Sequence, residues 1–417
     1  MMRVLSDTTW SPRKIWNCFD IVNGATPASG TAHFWDGEIS WVGPADLGKL
    51  SSRVISRGER NLTESGYKSC GTTFVPAGTI ILSARAPIGH VAVAANRLCF
   101  NQGCKGLVPN ADIFGEFAYW LILALKPKLE AAGQGTTFVE LSRSKLKDVT
   151  FLLPPLPEQR AIAAFLDGKC ATIDEAVRIK EEQIRLLAER RQILIQEAVT
   201  RGLNPNAPMK DSRIDWIGQI PAHWVVRRNF ALFRETKNAG NAGLPVLSVS
   251  IHSGVSKEEL SEEENIRSII KIEDRSSYKE VLPGDIAYNM MRAWQGGIGA
   301  VHTHGMVSPA YVVVRPIVDL VADYFELLYR TPAFIRQMDA SSKGITDFRK
   351  RLYWDDFRDC LTIVPPKAEQ EEIIRYSSDI SAKFHHAISL KESQITALRE
   401  YKTSLINAAV TGKIKVL

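Results

Sequence analysis

Cysteine is scarce in this sequence, and its distribution argues against two kinds of site. The chain has 417 residues and six cysteines. They form no CxxC pair and stand at no matching spacing to histidine, so neither a disulfide framework nor a structural zinc site is supported. We therefore expect free thiols in a reducing compartment, at Cys18, Cys70, Cys99, Cys104, Cys170 and Cys360.

Long apolar runs are also missing. No stretch approaches the roughly 20 apolar residues that a transmembrane helix needs. The N-terminal residues lack the charged and apolar segments of a secretory signal. The sequence therefore predicts a cytoplasmic protein with no membrane partner.

Charge of one sign is only slightly in excess. Lysine and arginine number 52 against 46 acidic residues, a formal net charge of +6. This balance is compatible with nucleic-acid binding but is weak evidence by itself. The composition, 45% hydrophobic and 24% charged, is that of a globular chain with room for two or more cores.

Motifs for catalysis are absent. Gly48-Lys49, Gly168-Lys169 and Gly412-Lys413 lack the glycine loop and following Ser or Thr of a phosphate-binding loop. The Asn/Asp-Pro-Pro-aromatic motif of amino-methyltransferases does not occur. His302-Thr303-His304 has no acidic residue at a convincing spacing for a metal. We assign this chain no catalytic residue, no metal ligand and no cofactor.

A long internal repeat organises the chain. Residues 154–200 align without a gap with residues 365–411, at a constant offset of 211, and 18 of 47 positions are identical. Each copy begins with Pro-Pro and an acidic first turn, which favours a helix start. Gly202 and the prolines behind it end the first copy.

Both copies are predicted to be single long helices of about 45 residues, about 67 Å each, which need a partner helix. Apolar residues at intervals of four and seven give each a narrow seam. The proposed seam consists of Ile173, Val177, Ile184, Leu187, Leu194, Phe384, Ile388, Ile395, Leu398 and Leu405. One copy alone would suit an ordinary helical hairpin or a dimerisation coil. Two copies favour two domains held apart by an antiparallel helix pair with pseudo-twofold symmetry.

The segment before each helix is predicted to be β-rich. Short apolar runs lie between Gly, Pro and Asn residues, at 38–42, 79–83, 91–95 and 149–153, and at 245–251, 285–288, 310–315 and 360–364. One helix interrupts each set, over 114–129 and 322–338. The fold class is therefore α+β, with similar domains at 1–153 and 204–364 and helices at 154–203 and 365–417.

Glycine-flanked loops in both domains carry side chains suited to DNA. Arg fits guanine O6 and N7, while Asn and Gln fit adenine. The candidate base contacts are Ser83, Arg85, Gln134, Thr136, Asn289, Arg292, Trp294, Gln295 and Thr346. The candidate phosphate contacts are Lys49, Arg53, Arg57, Arg60, Lys68, Lys343, Arg349, Lys350 and Arg351. The alternative is that these are ordinary surface loops, with Arg85 or Arg292 bracing a turn.

Several motifs resemble the DNA-sequence specificity subunit of type I restriction-modification systems. Residues 153–159 (LPPLPEQ) open the first helix as in that family, and residues 196–202 (QEAVTRG) close it. Residues 408–413 (AAVTGK) and 220–224 (IPAHW) also match, as does Gly135-Thr136-Thr137. The second domain departs from the pattern at Gly344-Ile345-Thr346 and in residues 366–370 (PKAEQ).

The resemblance implies a division of labour. Each domain would read one half of a split, asymmetric DNA sequence, and the spacer helices would fix the gap between the halves. The helices would also dock two modification subunits, which bind S-adenosylmethionine and methylate adenine at N6, and through them the restriction subunits. This chain would have no catalytic activity.

Two alternatives come from other classes. One is a non-catalytic coiled-coil scaffold whose two β-rich domains bind protein; steep salt dependence of DNA binding would argue against it. The other is a self-contained modification enzyme with a degenerate active site, which would require the isolated chain to bind S-adenosylmethionine.

Overall fold

The computed structural model describes residues 10–133, 140–241, 243–257, 277–344 and 350–416. The chain divides into two compact units. Unit 1 comprises residues 1–181 and 392–417, and unit 2 comprises residues 182–391. Each unit combines strands with helices, as the sequence predicts.

Unit 1 contains ten strands and the first seven helices among its described residues. The strands are β1 (Ser11–Lys14), β2 (Phe19–Asn23), β3 (Trp35–Ile39), β4 (Trp41–Val42), β5 (Val54–Ile55), β6 (Ile80–Ser83), β7 (Val91–Ala94), β8 (Cys99–Phe100), β9 (Cys104–Pro109) and β10 (Thr150–Leu153). The helices are α1 (Ile15–Cys18), α2 (Pro44–Gly48), α3 (Glu64–Lys68), α4 (Gly115–Ala124), α5 (Lys126–Ala132), α6 (Arg143–Asp148) and α7 (Leu156–Arg201), the last of which ends in unit 2. A 3₁₀ turn covers Ala32–Phe34.

The elements that follow belong to unit 2. Its strands are β11 (Met209–Asp211), β12 (Gln219–Pro221), β13 (Val225–Arg228), β14 (Phe233–Thr236), β15 (Val246–Ser250), β16 (Gly254–Lys257), β17 (Lys279–Val281), β18 (Ile286–Asn289), β19 (Ile298–Ala300), β20 (Gly305–Val307), β21 (Tyr311–Pro316) and β22 (Leu361–Val364). Its helices are α8 (Ala322–Tyr329), α9 (Pro332–Ser341), α10 (Trp354–Phe357) and α11 (Lys367–Val410), the last of which ends in unit 1. Two 3₁₀ turns cover Asn229–Ala231 and Ala293–Gln295.

The two units share one topology. Unit 1 has a sheet of order β2-β9-β6-β7-β5, and unit 2 has a sheet of order β14-β21-β18-β19. Each unit also has a two-stranded antiparallel ribbon that joins the start of the domain to the strand before the long helix. The ribbon is β1 with β10 in unit 1 and β13 with β22 in unit 2. Unit 2 has a second sheet of order β16-β15-β20-β17, where unit 1 has a two-stranded sheet of β4 and β8. The internal repeat thus extends beyond the helices to the strand order of the domains.

Each sheet packs one face against the first helix that follows it. In unit 1, Phe117 and Leu121 of α4 join Leu166 of α7 and Leu405 of α11 in one core. In unit 2, Tyr324 and Phe325 of α8 join Val199 of α7 and Ile373 of α11. Both cores therefore include the beginning of one long helix and the end of the other.

The two long helices are continuous, and their ends carry the expected signals. Helix α7 has 46 residues and runs unbroken through Gly168. Helix α11 has 44 residues. Gly202 and Gly412 follow the helices with φ of +73° and +74°, a left-handed conformation that glycine adopts without strain.

The shorter predicted helices are interrupted. The segment predicted as one helix over 114–129 is α4 followed by α5, with the break at Leu125 before Pro127. In unit 2 the break falls at Thr331, whose hydroxyl accepts from the Phe334 amide and caps α9. A proline in the first turn thus begins a new helix at both places, and at Thr331 a side-chain N-cap adds to it.

Every residue of the predicted seam is buried or half-buried. Ile173, Val177, Ile395 and Leu405 have less than 10% of their surface exposed. Within unit 1 the two helices run antiparallel, because Lys402 Nζ lies 2.7 Å from Asp174 Oδ1 and Arg399 Nη2 lies 2.9 Å from Glu181 Oε1. Lys180 also donates to Gln394 Oε1 over 2.7 Å. In the part of the chain described, no helix combines the length and apolar content of a membrane span.

Candidate nucleic-acid interface

The first candidate loop follows β6 in unit 1. Ser83 ends the strand and is fully buried. Its hydroxyl donates to Pro87 O over 2.9 Å and accepts from the His90 amide over 2.8 Å. The Ser83 hydroxyl therefore stabilises the loop from inside, which favours a structural role over base contact. The exposed residues at the tip of the loop are Arg85, Ala86 and Pro87.

Arg85 is exposed but not unpartnered. Its Nε donates to Glu140 Oε2 over 3.1 Å, and the backbones of the two residues form a β-bridge. If Arg85 braces a turn, as the sequence allowed, Glu140 is its partner in that role. Both side chains remain 37% exposed or more, so water and ligands can compete for the pair. The predicted contacts Gln134 and Thr136 lie outside the described residues.

Lys105 belongs to the same charged cluster, although no sequence motif points to it. It lies on β9 opposite Leu82 of β6 and is only 7% exposed. Burial lowers the pKa of the Lys105 ammonium group, while the Glu140 carboxylate opposes that shift and Arg85 adds to it. Lys105 thus places a third charged group beside the Arg85 and Glu140 pair. Only pairing across strands brings these residues together.

The second candidate loop follows β18, the strand of unit 2 that corresponds to β6. Asn289 Oδ1 accepts from the Met291 amide over 3.0 Å, which tightens the turn. Arg292 Nη1 donates to Gln295 Oε1 over 2.8 Å. Trp294 Nε1 donates to Met291 O over 3.0 Å. Gly296, at φ +88°, returns the chain to β19.

In unit 2 the structure brings predicted base contacts beside predicted phosphate contacts. The Leu352 amide donates to Met290 O over 2.9 Å, which joins the 289–297 loop to residues 350–352. Lys350 Nζ lies 5.0 Å from the ring centroid of Trp294. Lys343 pairs with Arg351 through two backbone hydrogen bonds of 2.9 and 2.8 Å. Thr346 and Arg349 lie outside the described residues.

These lysines also have acidic partners. Lys350 Nζ lies 2.6 Å from Asp339 Oδ1, and Lys343 Nζ lies 2.8 Å from Asp356 Oδ1. The bond to Asp356 raises the pKa of Lys343, so the ammonium group stays charged throughout the neutral range. The surface combines an exposed arginine, an amide, an indole and fixed cations, which are groups that contact base edges and phosphates.

The phosphate candidates of unit 1 lie on separate elements. Lys49 pairs with Glu59 at 2.8 Å, which raises the pKa of Lys49. Arg60 stacks on Trp35, with its guanidinium carbon 4.1 Å from the ring centroid. Arg57 and Lys68 are exposed. The structure therefore does not gather these residues as it gathers those of unit 2.

Arg53 differs from the other candidates, because it faces the helix. Its Nη1 lies 2.5 Å from Asp167 Oδ1 of α7, and that oxygen also accepts from Trp120 Nε1 over 2.9 Å. These groups line a cleft of about 640 Å³. This geometry favours a role in holding α7 to its domain over a phosphate contact.

One cluster has the residue types of a metal site. His302, Asp323 and Glu326 place ligand atoms within 4.8 Å of one another. The sequence spacing around His302 did not indicate this cluster, because α8 brings the two carboxylates to it from later in the chain. Glu326 already accepts from Arg330 over 2.9 Å and from the Ala300 amide over 2.8 Å. Since a cation would have to compete with Arg330, we treat the cluster as an ion-pair network.

Known proteins match this chain over much of its length. Residues 8–185 match the family model described as "Type I restriction modification DNA specificity domain". The type I restriction enzyme MjaIX specificity subunit of Methanocaldococcus jannaschii is 37% identical over 225 residues, which are 52% of this chain and 50% of that relative. The chain thus spans about half the length of that relative.

Two solved structures share the fold. A chain from work on complex assembly and conformational transition of the type I R-M system has a TM-score of 0.67 at 15% identity, over 99% of this chain and 100% of its own length. The HsdS subunit from Thermoanaerobacter tengcongensis has a TM-score of 0.53 at 15% identity, over 98% of both chains. At this level of identity the likeness is one of fold.

Proposed function

Because residues 8–185 match the family model of the type I restriction modification DNA specificity domain, we propose that the chain is the DNA-reading component of a type I restriction-modification complex. Each unit reads one half of a split, asymmetric target. The loop after β6 serves one half, and the loop after β18 serves the other.

One observation carries this proposal. In each unit the corresponding strand, β6 or β18, ends in a loop that exposes an arginine, Arg85 in one unit and Arg292 in the other. In unit 2, Trp294 lies against Lys350, so a group that can stack on a base and a group that can bind phosphate occur together. A duplicated surface with different side chains in each copy suits a target of two unlike halves.

The long helices supply the spacing in this proposal. Two recognition elements can enter successive major-groove faces when they are about 34 to 36 Å apart. Helices of 46 and 44 residues exceed that length, which leaves surface for other subunits. We propose that α7 and α11 form the spacer and dock two modification subunits.

The chemistry lies with the partners. The modification subunits would bind S-adenosylmethionine and methylate adenine at N6, and the restriction subunits would join through them. This chain would work in the cytoplasm without a cofactor or metal of its own. Its contribution is to select the DNA and to hold the partners across it.

Selection from random duplexes, made with the chain and its modification subunits, tests the proposal. The expected product is one split motif, and its affinity should fall steeply with salt because bound phosphates release counterions. Salt-insensitive binding without a motif would favour a protein scaffold. Binding of S-adenosylmethionine by the isolated chain would favour a self-contained enzyme instead.

A further inference from the structure

Two buried glutamines occupy the same place in the two long helices. Gln159 is 1% exposed and Gln370 is 2% exposed, and they are separated by the repeat offset of 211 residues. A buried amide is costly unless its polar atoms are hydrogen-bonded. The bonds of both side chains therefore indicate what each position does.

Gln159 ties the first turn of α7 to its domain. Its Oε1 accepts from the Phe114 amide over 2.7 Å. Its Nε2 donates to Asp112 O over 3.0 Å and to Pro154 O over 2.9 Å. Phe114 is the N-cap of α4, the helix that packs on the sheet.

Gln370 makes the same connection in unit 2. Its Oε1 accepts from the Val321 amide over 2.9 Å, and its Nε2 donates to Pro365 O over 2.9 Å. Val321 is the N-cap of α8, which corresponds to α4. In both units, one amide thus joins the domain helix, the proline-containing entry and the long helix.

The preceding glutamate adds a second attachment on another element. Glu158 accepts from Trp10 at the start of the unit 1 domain, and Glu369 accepts from Trp224 at the start of the unit 2 domain. Two attachments on adjacent residues of one helical turn restrict both the rotation of the helix about its axis and its tilt. Nonpolar packing alone would allow small adjustments of both angles.

We propose that Gln159 and Gln370 are positioning residues that set the angle at which each long helix leaves its domain, and through it the DNA gap that the complex accepts. This inference rests on the proposed function. In this inference, neither glutamine contacts DNA. The two residues act through α4 and α8, which carry the sheets and their recognition loops.

The experiment compares methylation of duplexes that carry the selected half-sites separated by the preferred gap or by one base pair more or less. The complex contains the full chain and its modification subunits. The variants are Gln159→Met and Gln370→Met, which keep side-chain length and remove the hydrogen bonds. Gln192→Met, at an exposed position of α7, is the matched control.

We expect the preference for the correct gap to fall by about tenfold in each variant, which is a loss of about 1.4 kcal/mol in the free energy that separates the correct gap from the others. The half-site sequences should be unchanged. The control should keep the wild-type preference. Wild-type gap preference in both variants, with only a lower unfolding temperature, would show purely structural residues and overturn the inference.

The second position covers a failure to fold at the first. Gln370→Met removes two hydrogen bonds where Gln159→Met removes three, so its complex should form even if the Gln159→Met complex does not. An unchanged gap preference in Gln370→Met would then count against the inference. A wild-type complex that ignores the gap altogether would overturn the proposed function, and this inference with it. If methylation by the wild-type complex depends on the gap and the variants behave like the wild type, the inference alone is overturned.

Discussion

The indole Nε1 of Trp224 donates a hydrogen bond to Glu369 Oε2 over 3.0 Å, and Trp10 donates to Glu158 Oε2 over the same 3.0 Å in the other unit. The residues of each pair are 145 and 148 positions apart in sequence. Each bond joins the beginning of a domain to the first turn of the helix that follows it. The Glu-Gln pair of the helix entry therefore has a structural explanation in both halves of the chain.

Removing the charge from these glutamates should destabilise the two units unequally. Glu369 also accepts from His223 Nε2 at 2.8 Å, whereas Glu158 has the indole bond alone among the contacts described. Glu369→Gln should lower the free energy of unfolding by about 1 to 3 kcal/mol, and Glu158→Gln by about half as much. Denaturant unfolding measures both, with exposed Glu372→Gln as the control. A larger loss for Glu158→Gln would contradict the assignment.

Lengthening the helices should lengthen the gap. Seven residues inserted within 178–188 of α7 and seven within 389–399 of α11 add two turns, about 10.5 Å, and keep the apolar seam in register. This rise corresponds to about three base pairs. We expect a longer gap with unchanged half-sites, measured by motif selection. Altered half-site sequences with the original gap would contradict the spacer role.

Arg85 and Arg292 should each affect one half-site. Alanine at either position should relax base preference there by about 1 to 3 kcal/mol if the contact is a fork to guanine. Glu140→Gln should have the opposite effect to Arg85→Ala. It removes the ion pair of Arg85 and should therefore strengthen DNA binding. Competition binding with single-base substitutions provides the measurement. Equal weakening at both half-sites would mark these arginines as backbone or folding contacts.

Five of the six thiols should resist modification in the native protein. Burial raises the pKa of Cys18, Cys170 and Cys360 to about 11, and that of Cys99 and Cys104 to about 12. A raised pKa leaves less thiolate at pH 8, about one part in a thousand for a pKa of 11. Half-exposed Cys70 should therefore react first.

A disulfide reagent distinguishes the outcomes. At pH 8 one thiol should react quickly in the native protein, and all six should react in denaturant. The slow rates should increase as pH rises toward 11, because the thiolate fraction increases. Three or more fast thiols in the native protein would contradict the burial described. Cys70→Ser should abolish the fast phase.

The sequence predicts the long helices well because their signals are local. The proline entry, the seam and the terminal glycines each lie within a few residues of the position they define, and α7 and α11 begin and end beside them. The resemblance to specificity subunits, drawn from such motifs, is confirmed by the family match over residues 8–185. Short apolar runs between turn residues located strands such as β6, β7 and β18 for the same reason.

The candidate site is less predictable because its contacts are not local. The Arg85 and Glu140 pair spans 55 positions, and the Arg53 and Asp167 pair spans 114. Lys105 enters the cluster through strand pairing, which no motif records. Ser83 was selected as a polar loop residue, yet its hydroxyl is turned inward by two hydrogen bonds. Which loop side chains contact bases remains a prediction.

The most direct test of the account is methylation sequencing of DNA from cells that express this chain with its modification partner. The account predicts a single split motif, two unlike half-sites at one fixed gap, with methylated adenine on both strands. A soluble complex that co-purifies with its partner and leaves no new methylation would contradict it. So would methylation at a continuous motif without a gap.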